Sequence, residues 1–237
     1  MTRTLLQITC AALLLCEPAH AETFLMKILR IAGVSATPSQ QKGPGEEMEA
    51  GGEIWLANVK MGAPRKLSSE AGFRSPVFTP DGQAVLAIKD SALWRVPLSG
   101  VLPQKLRDVT GITKLVGSDR DDPDKILVII ERAQASTVAL LSIATGTTTE
   151  IAYDPKSSED RKLLSHLKGW VRVYGDMQIY QKTQSREGRA GMVEWNDVFL
   201  KKGDAAPADL SHGDGTNCGQ PSLSPDRTEV VFIRAKE

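Results

Sequence analysis

The sequence predicts an all-β chain of four-stranded antiparallel blades closed into a β-propeller, and three observations lead there. A hairpin with a central Gly recurs four times, a Pro-Asp turn precedes a β-rich run in two places, and the two ends of the chain complete one another.

The hairpin copies are Ile54-Trp55-Leu56 with Gly62 and Leu67, Leu93-Trp94-Arg95-Val96 with Gly100 and Leu106, Val138-Ala139-Leu140-Leu141 with Gly146 and Ile151, and Val198-Phe199-Leu200 with Gly203 and Leu210. In each, Gly stands where a tight turn needs positive φ, which only a residue without Cβ adopts freely.

The second unit is Ser75-Pro76-Val77-Phe78-Thr79-Pro80-Asp81-Gly82 followed by Ala84 to Lys89. Thr79 to Gly82 has the chemistry of a type I turn, with Pro fixing φ at the second position and Gly accepting the left-handed conformation at the fourth. A copy closes the chain in Gln220-Pro221-Ser222-Leu223-Ser224-Pro225-Asp226, followed by Glu229 to Arg234. There Arg227 replaces Gly, so that turn is expected to be strained or of another type. Ile112 to Glu131 and Leu164 to Gln181 fill the same slot in the middle repeats, with tips at Asp119 to Asp124 and Tyr174-Gly175-Asp176.

With the strands named A to D, the order reads C-D, then A-B-C-D three times, then A-B. Pairing the terminal A-B with the first C-D builds one composite blade and removes two exposed edges. This gives four blades, or five if the apolar segment Phe24 to Val34, which reads as a strand or as the tail of an export segment, adds one together with other weak strands.

The N-terminus reads as a secretory signal: Arg3, an apolar run from Leu5 to Cys16, and Ala19-His20-Ala21 before an expected cleavage at Glu22. Leu13-Leu14-Leu15 lacks the small residue expected beside a lipidated Cys16, and the apolar run is short for a membrane span of roughly 20 residues. The expected organisation is a signal peptide at 1–21, an N-terminal segment with a mobile Gly- and Glu-rich loop at 22–52, and the propeller at 53–237. Cleavage leaves Cys218 as the sole thiol, so a periplasmic or secreted chain would rest on its core without an intrachain disulfide.

Lys and Arg together number 29, as do Asp and Glu, so no net field gathers nucleic acid, and none is expected as a partner. His166 and His212 are the only histidines after the signal, too few for a metal site or a catalytic triad without further recruits. Asp119, Asp121, Asp122 and Asp124 offer hard oxygen ligands for Ca²⁺, but without the Gly and terminal Glu of a calcium loop they read as a solvated hairpin tip. No catalytic, cofactor-binding or metal residue is assigned, and no cofactor is implied. Trp55 and Trp94 hold matching places and are expected to pack between blades. Trp170 and Trp195 fall outside that register, where exposed indoles would serve a glycan or a protein. The polar, Gly-rich run Ser211 to Gly219 is expected to line one face of the ring.

The two Pro-Asp units, with Glu53-Ile54-Trp55-Leu56 through Gly62-Ala63-Pro64-Arg65-Lys66-Leu67, resemble the repeats of TolB-type propellers, within the wider class of WD40-like repeats. Asp121-Asp122-Pro123-Asp124-Lys125-Ile126-Leu127-Val128 with Leu141-Ser142-Ile143-Ala144-Thr145-Gly146 is similar to the propellers of prolyl-oligopeptidase-type enzymes. Those enzymes carry their chemistry on a separate hydrolase domain with a Gly-x-Ser-x-Gly elbow, a pentapeptide absent from this sequence. The resemblance implies a propeller without the hydrolase. It implies a non-catalytic interaction or scaffold module for an exported or envelope protein. The rival readings are a ligand-processing ring with an axial site assembled from several blades, and a glycan binder using Trp170 or Trp195.

Overall fold

The computed structural model describes residues 28–29, 31–33, 50–60, 62–132, 135–151, 154, 156–189 and 191–235. Residues 1–21, and with them the signal, lie outside this set, as does most of the Gly- and Glu-rich loop.

Among the described residues sixteen strands form four antiparallel sheets of four, the blades of a β-propeller. The second blade holds β3 (Arg74–Phe78), β4 (Ala84–Lys89), β5 (Ala92–Pro97) and β6 (Gln104–Asp108). The third holds β7 (Ile112–Ser118), β8 (Lys125–Arg132), β9 (Ala135–Ser142) and β10 (Thr148–Glu150). The fourth holds β11 (Arg172–Tyr174), β12 (Met177–Gly188), β13 (Gly191–Lys202) and β14 (Ala208–Asp209). The first is composite: β15 (Asn217–Leu223) and β16 (Glu229–Ala235) join β1 (Glu53–Asn58) and β2 (Arg65–Lys66) in the order β15-β16-β1-β2. β1 and β16 pair from Glu53 opposite Arg234 to Asn58 opposite Glu229, so the predicted closure is the one observed.

The apolar runs of the central strands follow from burial on both faces, because side chains alternate across a sheet clasped between two others. In β16, Val231 and Ile233 face the second blade while Val230 and Phe232 face the fourth. In β4, Val85 and Ala87 face the first blade, and Leu86 and Ile88 the third. Trp94 lies in the contact between first and second blades, edge-on to Phe73 at 6.1 Å, and Trp55 holds the same place between fourth and first. Both indoles pack between blades, as their register predicts.

The junction of the third and fourth blades is different. Here Leu127, Ile129 and Val138 pack on Ile28, Ala32 and on Leu167 of α1 (Ser158–Lys168). The described residues between Phe24 and Val34 are thus helical rather than a fifth set of strands, and they fill a gap between blades. The carbonyl of Gly33 accepts from the Val173 amide at 2.7 Å, and a Cβ on Gly117 would stand 2.4 Å from the Ile31 carbonyl oxygen. α1 also corrects the expected strand slot from Leu164, whose strands begin only at Arg172.

Both Pro-Asp turns close alike: Gly82 N–H donates to the Thr79 carbonyl, and Arg227 N–H to that of Ser224, each at 2.9 Å. Gly82 has φ +67°, and Arg227 is held at +62°, the expected strain in an unchanged turn. Gly100, Gly146 and Gly203 have positive φ at their hairpin tips, whereas Gly62 does not, so the expected conformation fails in the first copy.

Candidate functional site

The A strands β3, β7, β11 and β15 surround the axis, which opens at both ends. One end carries the A–B turns and is termed here the turn face. The other carries the hairpins joining B to C strands and is termed the hairpin face.

On the hairpin face a cavity of about 290 Å³ is lined by Arg74, Lys114, Glu131, Lys168, Trp170 and Gln220, among others. The buried Lys114 ammonium donates to the carbonyls of Lys168 and Gly169, the latter at 2.8 Å, and sits 3.4 Å from the Trp170 ring centroid. Buried Arg172 donates to the carbonyls of Gly169 at 2.7 Å and Val171 at 3.1 Å. These cations meet the carbonyl-rich end of α1, where positive charge is favoured. They also cover the indole: Trp170 is 7% exposed, so the expected exposed platform is absent at this residue. Trp195 is half-buried, its N–H donating to Asp197 at 2.7 Å and its face under the Arg186 guanidinium.

The same face carries a ribbon that periodicity does not reveal. β12 and β13 pair without interruption from Met177 opposite Lys202 to Gly188 opposite Gly191, far beyond the reach of β11 and β14. From Lys182 outward the ribbon has no third strand among the described residues. Its tip exposes Met192 (63%) and Val193 (42%). Arg186, opposite Val193 near the tip, pairs with Asp214 at 2.6 Å, and nearer the base the Asn196 amide donates to the Asn217 side chain at 3.0 Å.

The run Ser211 to Gly219 wraps a buried carboxylate rather than lining open space. Asp197 accepts from the Ser211 hydroxyl and the Gly213 amide, each at 2.8 Å, as well as from Trp195. Beside it Cys218 is buried, and burial pushes its thiol up to about 12.

On the turn face a cavity of about 120 Å³ is lined by Arg120, Tyr174 and Arg227 with Ser118, Ser222 and Ile31, among others. Arg120 spans the axis from the third blade to the Pro225 carbonyl of the first, at 2.9 Å. Burial raises the Tyr174 phenol, while Arg172, Arg120 and Arg227 pull it the other way.

The acidic residues of the third blade's tip do not converge. Asp119 is buried and accepts from the Asp121 amide, and Asp122 accepts from that of Asp124. Asp124 turns to the next hairpin, where the Ser142 hydroxyl and Ala144 amide hold its carboxyl below the ordinary carboxylate value. Among the described residues no three His, Cys, Asp or Glu are grouped to hold a metal ion. His166, on α1, and His212, on the Ser211 to Gly219 loop, are both exposed. No described helix is long and apolar enough to cross a membrane.

No family model and no curated protein matches the chain. Among solved structures it is similar to a TolB-type protein from Agrobacterium tumefaciens at 20% identity, over 75% of this chain and 60% of that one, with a TM-score of 0.36. TolB from Acinetobacter baumannii is similar at 13% identity over 74% and 45%, with a TM-score of 0.35. An acylaminoacyl peptidase from Pyrococcus horikoshii is similar at 12% identity over 66% and 27%, with a TM-score of 0.33. The chain spans 60% or less of each of these proteins.

Proposed function

We propose that this ring is an exported, non-catalytic interaction module of the periplasm or cell exterior that presents its hairpin face to another exported or envelope protein. The observation that carries the reading is the β12–β13 ribbon. It extends beyond the four-stranded part of its blade, has no third strand from Lys182 outward among the described residues, and places exposed Met192 and Val193 at its end. Backbone edges and apolar side chains together are what an incoming extended segment requires. The TolB-type repeats and the signal-like residues 1–21 support the same reading. In the hairpin-face cavity the Lys114 ammonium is engaged with backbone carbonyls, which supports a structural role for that cation.

The test is a photo-crosslinking residue at Met192, introduced into the full chain in an envelope-bearing host. A discrete adduct with an exported protein, lost when Met192 and Val193 are both changed to Ser, is expected. Absence of any adduct, or an adduct unaffected by the double change, overturns the reading. A mature N-terminus at Glu22, read by mass spectrometry, tests export separately.

A further inference from the structure

We propose that the turn-face mouth is an oxyanion site, receiving a carboxylate or phosphate group between the guanidinium groups of Arg120 and Arg227 and the hydroxyl of Tyr174. The three come from the third, first and fourth blades, so only the closed ring assembles them. Among the described residues none lining this cavity is acidic, while Ser118 and Ser222 add hydroxyls at its wall. Ile31, Pro80 and Pro225 supply the apolar part of the lining beside the exposed Arg120 and Arg227. A volume of about 120 Å³ suits a group of a few heavy atoms, equal to about four waters at about 30 Å³ each.

Arg227 points most directly to a ligand. Its turn is the twin of Thr79-Pro80-Asp81-Gly82, with the same closing hydrogen bond and almost the same positive φ. A side chain is disfavoured there, yet the position carries a guanidinium that reaches toward the tip of the fourth blade. A Cβ on Gly175 would lie 3.7 Å from its Nη1. That guanidinium makes no hydrogen bond or ion pair among the described residues. Arg120 is aimed by its bond to the Pro225 carbonyl, two residues before Arg227, so one loop positions both forks. Paired guanidinium groups with a phenol match the planar or tetrahedral oxygens of a carboxylate or phosphate.

Isothermal titration calorimetry of the full chain tests this with sodium phosphate and sodium acetate as probes, each at constant ionic strength against sodium chloride. Saturable heat with phosphate alone identifies a phosphate site, with acetate alone a carboxylate site, and with both a site for either. Arg227→Gly restores the residue of the twin turn and is expected to remain folded, with an unfolding midpoint at or above that of the parent. In that variant the affinity is expected to fall at least tenfold, and Tyr174→Phe to weaken it several-fold. Equal heats with chloride, no saturation with either oxyanion, or parental affinity in Arg227→Gly overturns the proposal.

Discussion

Ser75 and Gln220 occupy the same place in successive blades, both in left-handed backbone conformation, and the Ser75 amide donates to the Gln220 side-chain oxygen at 2.7 Å. Each precedes the Pro of its unit, at a register shift in the A strand. The Gln220 amide nitrogen also donates to the Ala50 carbonyl at 3.1 Å, tying two A strands to the segment entering β1. Changing Gln220 to Ala leaves a buried amide without its acceptor. A loss of about 1–3 kcal/mol is expected, measured as a lowered denaturation midpoint with unchanged slope.

Gly117 is a second point of contact, where the N-terminal turn crosses β7. Gly117→Ala brings a methyl group against the Ile31 backbone and is expected to displace residues 31–33, at a cost of about 1–3 kcal/mol. The readout is hydrogen exchange at Val173, whose amide loses its Gly33 acceptor. Unchanged protection at Val173 would show that the turn accommodates the methyl group.

Acid is expected to loosen three turns together. The Thr79 hydroxyl and Gln83 amide hold Asp81 below its ordinary value of 3.8. Ser224 and Thr228 do the same for Asp226, and Ser142 and Ala144 for Asp124. A carboxylate lowered in the folded state stabilises it above the unfolded-state value, about 3.9, and that contribution disappears as pH falls through the folded value. The unfolding temperature is therefore expected to drop below about pH 4. A variant with Asn at all three positions should be less stable at neutral pH and show a shallower acid decline.

Cys218 is expected to resist alkylation in the native chain at pH 8, being buried and almost wholly protonated. Peptide mapping after iodoacetamide should find it modified only under conditions that unfold the fourth and first blades. Fast native labelling would place the thiol at the surface.

Where local chemistry repeats, the sequence was sufficient. The tips at Gly100, Gly146 and Gly203, the Pro-Asp turns and the complementary ends are short-range features, and the composite blade followed from their order; Gly62, without positive φ, is the exception. α1 had its own signals, which the repeat pattern hid: Ser157 caps the Asp160 amide, acidic residues open the helix, and Gly169 follows its last turn. The outer ribbon from Lys182 to Trp195 has no buried face to impose alternation, so periodicity is silent there. Asp197 and Ser211, 14 positions apart, form one buried network that neither residue type announces. Arg120, Tyr174 and Arg227 read singly as loop residues, since only the ring brings them to one mouth.

The helical filling between the third and fourth blades makes the ring mechanically uneven. Three of its junctions are sheets interlocked along their lengths, and the fourth is held by two short helical pieces. Under load or heat the ring is therefore expected to open first at this junction, where helical residues rather than a second sheet pack against the third blade.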